Sequence, residues 1–321
     1  MSLTTRGARR TALPAARRFA SHPAPLAGAT HPGRPGAGRA RSAPPLNGIA
    51  DVNLTPAITS PAALLANGQL DEALRALSAE VRSRPADAAL RVFLFQLLAV
   101  HGDWERAGHQ LKVAAELDAG NAPMATAYAF ALRGELERDA VLAGAKSPLL
   151  AGEPAAWHAS LLRSLHALTE RRVTAALELR AAAFDAAETV AGTIDGEPFD
   201  WLADADPRFG PCLELILKSG YVWVPFSQLR SLTFDAPADL RDKIWAPVRI
   251  VWLSGAESVG FVPCRYAGSE RSGIADLALA AGTSWTEHGE DCFTGRGQRM
   301  LVTDRAEYPL LDVRSITIDA R

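Results

Sequence analysis

The chain has little cysteine: Cys212, Cys264 and Cys292 are its only three in 321 residues, and they are scattered. That excludes a disulfide framework and points to a reducing compartment. No run of about 18 apolar residues occurs, so no membrane-spanning helix is expected. The N-terminus also lacks the apolar core of a secretory signal. Residues 1–50 contain no lysine and no acid, only eight of the 34 basic residues, all arginine. The remainder therefore holds 26 basic against 36 acidic residues, a net charge of −10. An acidic body lacks the clustered Lys and Arg that neutralise phosphates, so nucleic acid is not an expected partner.

What is present is an ordinary globular composition, 48% hydrophobic and 22% charged. A chain of this length buries roughly 70–75% of its unfolded surface, so it needs no disulfides or metal to hold a core. Residues 1–56 stand apart. They are rich in Pro, Ala, Gly and Arg, with no apolar periodicity. Such a segment cannot offset its ordering entropy by burial and is expected to be disordered. Its Arg-rich, acid-free texture also resembles an organellar transit peptide, and a start codon placed too far upstream would give the same picture.

From about residue 60 the apolar spacing becomes helical. Asn67-Gly68 ends a first helix, and Leu70, Ala73, Leu74 and Leu77 mark one face of a second. The pattern then returns: Leu98, Gly102, Trp104, Ala107 and Leu111 match Leu64, Gly68, Leu70, Ala73 and Leu77 at an offset of 34, the tetratricopeptide (TPR) period. Small residues such as Ala73 and Ala107 let paired helices approach and stack. Residues 157–168 and 173–184 read as a further, degenerate helix pair, and residues 124–143 as a helix without the Gly turn. Five to seven helices are expected between 60 and 190.

Near 191 the texture changes again. Gly192, Gly196, Pro198, Pro207, Gly210 and Pro211 break any long helix. Asp206-Pro207 reads as an N-cap with proline at the first helical position, and Phe209, Leu213, Ile216 and Leu217 predict a helix closed by Gly220. Beyond it the period becomes two, predicting strands at 221–224, 232–234, 248–253, 259–262, 300–303 and 311–318, with Gly255 in a hairpin turn and a helical turn at 239–245. The predicted fold is thus multi-domain α and α+β. A disordered 1–56 precedes a TPR-like helical domain over 57–190, and an α+β domain with a short curled antiparallel sheet covers 191–321.

Few residues suggest chemistry. His288, Glu290, Asp291 and Cys292 are possible metal ligands, but no second Cys or His pair lies nearby, so a solvated loop is expected. Gly295-Arg296-Gly297 lacks the Gly-Lys-Ser/Thr of a phosphate loop and reads as a tight turn. An enzyme, either a small hydrolase or a nucleotide-binding domain on the repeat scaffold, is the alternative reading. It requires a cleft where Asp204, Asp206, Arg208 and Arg241 converge with shifted pKa values. A passive oligomerisation module is a third. Tyr221 and Trp223 share one face of a strand, beside Pro225 and Phe226. Those aromatics form either a second packed layer or an exposed docking patch.

The wording of the C-terminal part is specific. Asp204, then Asp206-Pro207-Arg208-Phe209-Gly210-Pro211, leads to Glu214, Gly220-Tyr221 and Trp223-Val224-Pro225-Phe226. Leu240-Arg241-Asp242, Trp245, Val262-Pro263-Cys264-Arg265-Tyr266, Trp285, Gly297-Gln298-Arg299-Met300 and Leu310-Leu311-Asp312-Val313-Arg314 follow. In this order they resemble the ImpE family, also called SciE or TagJ, accessory proteins of bacterial type VI secretion. The resemblance covers about 58–321. Residues 1–50 have no counterpart in it, and Cys264 is a variation inside a matching motif. It implies a cytoplasmic, non-enzymatic adaptor that binds the N-terminal helix of the small sheath subunit TssB and is linked to the ClpV unfoldase. It assigns no catalytic residue and no cofactor. Helical repeats offer grooves for amphipathic helices. The expected partner site is therefore the repeat groove or its junction with Tyr221, Trp223, Pro225, Phe226 and Arg241.

Overall fold

The structure is a computed structural model and describes residues 60–289 and 291–319. The arm expected over 1–56 lies outside them. Among the described residues, seven α-helices precede the strand-rich part: α1 (Pro61–Ala66), α2 (Leu70–Ser83), α3 (Ala88–Val100), α4 (Trp104–Leu117), α5 (Ala122–Leu142), α6 (Ala156–Thr169) and α7 (Val173–Ala186). Helices α2 and α4 start and stop at the same 34-residue offset that relates their sequences. In α2, Ala73, Leu77 and Val81 form the buried stripe, while Asp71 and Glu72 complement the N-terminal dipole. Asp87 and Asp103 cap α3 and α4 through the N–H groups of Leu90 and Arg106. Gly68 and Gly102 both take φ near +70°, which lets each chain reverse into the next helix.

A two-residue strand β1 (Leu149–Leu150) lies between α5 and α6. The strand-rich part comprises β2 (Gly192–Ile194), β3 (Glu197–Phe199), β4 (Leu202–Asp204), β5 (Cys212–Leu217), β6 (Gly220–Pro225), β7 (Leu229–Phe234), β8 (Trp245–Trp252) and β9 (Glu257–Pro263). A short helix α8 (Ala275–Ala278) leads to β10 (Thr283–Gly289), β11 (Cys292–Gly297), β12 (Met300–Thr303), β13 (Glu307–Pro309) and β14 (Ser315–Ile318).

Two expectations are corrected. The sheet is not short: among the described residues nine strands join in the order β1-β6-β5-β9-β8-β7-β14-β2-β3, antiparallel except for β1 beside β6. Separate ladders pair β10 with β11 and β13-β12-β4. The segment read as a helix over 207–217 is a turn followed by strand β5. Phe209, Leu213, Ile216 and Leu217 fall at helical spacing, but β5 is buried on both faces and so has no polar alternation to betray it. Within 311–318 only β14 is strand, preceded by a 3₁₀ turn at Leu310–Asp312.

The nine-stranded sheet separates two cores. On one face, Leu213, Leu215, Val222, Val224 and Val262 pack with residues from β7, β8 and β14. On the other, Ile216, Tyr221, Trp223 and Trp245 join Phe95, Leu98, Trp104, Ala107 and Tyr128 from the helices. That second core runs without a break from the helical part into the sheet. Trp245 of β8 stacks on Phe95, with ring centroids 6.5 Å apart, and touches Trp104 and Tyr128. Helix α5 lies closest to the sheet because Gly134 leaves room: a Cβ there would sit 2.5 Å from Ile216.

Candidate functional site

Strand β6 brings Tyr221 and Trp223 against the helices and turns Val222 and Val224 to the opposite core. Tyr221, Trp223 and Phe226 are each at most 2% exposed, and Pro225 is buried as well. The aromatic face is therefore a packed layer; none of the four offers an open surface. Arg241 sits in the 3₁₀ turn Leu240–Lys243. Its guanidinium pairs with Asp239 at 2.8 Å and lies 5.1 Å over the Tyr128 ring. The junction expected to receive a partner helix is filled by the chain's own side chains.

What the seam contains instead is a network of buried charge. Arg138 of α5 donates to both oxygens of Glu214 on β5, at 2.7 and 2.9 Å, and to the carbonyl of Arg265 at 2.8 Å. It also meets Glu135, one turn back on α5, at 3.3 Å. Glu135 in turn accepts from the indole N–H of Trp245 at 2.9 Å. Arg299, fully buried, bridges Asp204 and Glu214 and donates to the Pro263 carbonyl. Tyr221 donates its hydroxyl to Glu214 and accepts from Trp223 Nε1 at 2.7 Å. Tyr266 donates to Asp204 at 2.9 Å. Arg265 uses the same seam differently: it donates to the carbonyls of Ala99 and Val100 at the end of α3 and to Ala278 of α8. These are carbonyls that a helix C-terminus leaves without intrahelical partners.

The four carboxylates, Glu135, Asp204, Asp206 and Glu214, pair with Arg138, Arg208 and Arg299, while Arg265 is held by carbonyls. Burial pushes Glu214 toward neutrality, but Arg138 and Arg299 outweigh it and hold its carboxyl at about 2. Asp204 fares differently. Burial, with Asp206 close by, lifts it to about 7 against the pull of Arg299. Desolvation raises the Tyr221 and Tyr266 hydroxyls and the Cys212 and Cys264 thiols, so all four stay protonated at neutral pH.

Asp204, Asp206 and Arg208 do come together, but Arg241 lies elsewhere. Asp206 caps no helix: it holds a turn through the N–H of Arg208, pairs with that guanidinium, and accepts the Gly295 N–H at 2.7 Å. The crevice beside Arg208, lined by Ser164, Arg180, Cys292 and Phe293 among others, has about 10 Å³ of room, enough for about one water. His288 bonds to Thr294 at the tip of the β10–β11 ribbon, and Cys292 is buried beneath it. Among the described residues no group of three or more His, Cys, Asp or Glu is placed to hold a metal. Gly295-Arg296-Gly297 lies in β11 rather than in a turn. Most of the charge network escapes local sequence reading, because Arg299 and Asp204 are 95 residues apart. Its one signal is Glu214, a carboxylate set in the otherwise apolar run Cys212–Leu217.

Fold and site together define a helical scaffold fused to a sheet, with its buried charges consumed by its own interior. Residues 196–317 match the family described as ImpE protein. The chain is 46% identical over 256 residues to the type VI secretion system accessory component TagJ of Pseudomonas aeruginosa, covering 80% of this chain and 90% of the relative. It belongs to the ImpE/TagJ family. The crystal structure of protein VPA1032 from Vibrio parahaemolyticus shares the fold, with a TM-score of 0.75 at 23% identity over 81% of this chain and 98% of that one.

Proposed function

We propose that this protein is a non-enzymatic, cytoplasmic adaptor of a type VI secretion system, which binds the N-terminal helix of the sheath subunit TssB and links it to ClpV-dependent sheath handling. The observation that carries the reading is the 46% identity to an accessory component over most of the chain. A second supports its non-enzymatic part. The buried acids and bases pair with each other around a seam, and Asp204, Asp206 and Glu214 are fully buried. A general acid or base must reach a substrate proton.

In this reading the helical part is a TPR-like repeat, and the domains over 57–190 and 191–321 act as one body. Tyr221, Trp223, Pro225, Phe226 and Arg241 then support the partner surface from beneath rather than touching the partner. Calorimetric titration with a synthetic peptide of the TssB N-terminal helix from the same genome tests the reading. Micromolar or tighter binding is expected. Absence of heat, together with an unchanged melting temperature, contradicts it.

A further inference from the structure

The large apolar side chains left exposed among the described residues include Leu136, 56% exposed, and Leu149, 50% exposed. Both belong to elements that meet at one edge of the main sheet. Leu136 is on the outer face of α5, next to Glu137, whose carboxylate accepts the Tyr221 N–H at 2.8 Å. Leu149 is in β1, paired with Val222 of β6. Leu149 is therefore beside β6, and Leu136 is on the solvent side of the helix that reaches the start of β6 through Glu137. Strand β1 ends the sheet, with β6 as its neighbour, so no strand pairs with its outer side among the described residues.

Three cations surround this edge. Arg133, half-exposed, donates to the Lys218 carbonyl at 2.8 Å and so lies against the β5–β6 turn. Lys218 and Lys146 are exposed, at the same end of the two parallel strands. Neither lysine has a carboxylate partner among the described residues, whereas nearby Glu137 and Asp139 pair with Arg133 and Arg271. In a chain whose residues beyond 50 carry a net −10, this is a cationic exception.

We infer that the edge formed by α5, β1 and the β5–β6 turn is a docking surface for an amphipathic helix whose apolar stripe is flanked by acidic side chains. Three observations choose that occupant. Lys146 and Lys218, exposed and without a carboxylate partner, and half-exposed Arg133, held by Glu137 only at 3.7 Å, complement acids around an apolar stripe. Strand addition is disfavoured because β1 has only two residues and follows Pro148, which has no N–H to donate. A second copy docking about a two-fold axis would set the same cations against themselves, and like-charge juxtaposition is costly. The inference rests on the adaptor reading and gives it a place on the molecule.

The test is calorimetry of the full chain with the TssB N-terminal helix peptide at about 0.05 M and about 0.5 M salt. Four proteins are compared: wild type, the double variant Lys146→Glu/Lys218→Glu, Leu136→Asp, and a control pair Lys112→Glu/Lys243→Glu. Each edge variant should weaken binding at least about tenfold at low salt, and the loss from charge reversal should shrink at high salt. The control should match wild type, and all four should melt alike. If wild type binds and both edge variants bind within about twofold of it, the docking edge is overturned while the adaptor reading stands. If wild type itself does not bind, the adaptor reading fails and takes the edge with it. Should Leu136→Asp melt early, the lysine variant decides alone.

Discussion

The inner face of α5 presents Gly134, Glu135 and Arg138 to the sheet, and its outer face presents Arg133 and Leu136 to solvent. Both faces carry arginine, yet the two arginines have opposite fates. Arg138 is 3% exposed and spends its guanidinium on Glu214, Glu135 and a carbonyl. Arg133 is half-exposed, and its nearest carboxylate is 3.7 Å away. A buried charge must be fully partnered or the fold fails, so inner-face charges hold the architecture and have nothing left to offer a partner. An exposed charge contributes little to stability, so the outer face is free to be used for recognition.

The largest effect should come from the inner face. Glu214→Gln leaves Arg138 and Arg299 buried with less opposing charge, and should cost roughly 3–5 kcal/mol in a urea melt. A variant that loses less than about 1 kcal/mol would blur the distinction between the faces. Acid should act on the same residue. The Glu214 carboxyl is held at about 2 in the folded protein against an ordinary 4.5. Its stabilisation is therefore complete above about pH 4.5 and lost as pH falls toward 2. Asp204 works in the opposite direction: lifted to about 7, it favours the protonated folded state, so its ionisation costs stability as pH rises from about 4 to 7. Melting temperatures measured from pH 8 down to pH 2 should therefore fall steeply only below about 4.5, and Glu214→Gln should flatten that fall.

A smaller loss is expected from Gly134→Val, whose side chain would meet Ile216 where even a Cβ has no room. Overpacking of this kind costs roughly 1–3 kcal/mol and should appear as a lowered melting temperature. Smallest of all, Leu136→Asp on the outer face should change stability by no more than about 0.5 kcal/mol in the same urea melt.

How much of this was legible in the sequence follows the same division. The α1–α2 and α3–α4 pairs were readable because Leu64, Gly68, Ala73 and Leu77 recur as Leu98, Gly102, Ala107 and Leu111 at one fixed offset, and local spacing is enough to find them. Strands β6, β8, β9 and β12 were readable from period two. Strand β5 was not: Leu213 and Leu215 enter one core, Cys212 and Ile216 the other, and apolar residues on both sides mimic a helix stripe. The short strands β2, β3 and β4, three residues each, are below the length at which any period shows. Tyr221 and Trp223 were rightly assigned to one face, but whether that face was core or surface depended on α5, some 80 residues earlier. Most of the charge seam was hidden for the same reason: only Glu135–Arg138 and Asp206–Arg208 are close in sequence, while Arg138–Glu214, Arg299–Asp204 and Arg299–Glu214 are made by tertiary topology.

The central claim is that buried charge and a shared aromatic core weld the helical part and the sheet into one cooperative body. Differential scanning calorimetry of the full chain at pH 7 tests it most directly. The account predicts a single transition whose calorimetric and van't Hoff enthalpies agree. Two separable transitions, with Glu214→Gln shifting only the one that belongs to the sheet, would contradict it.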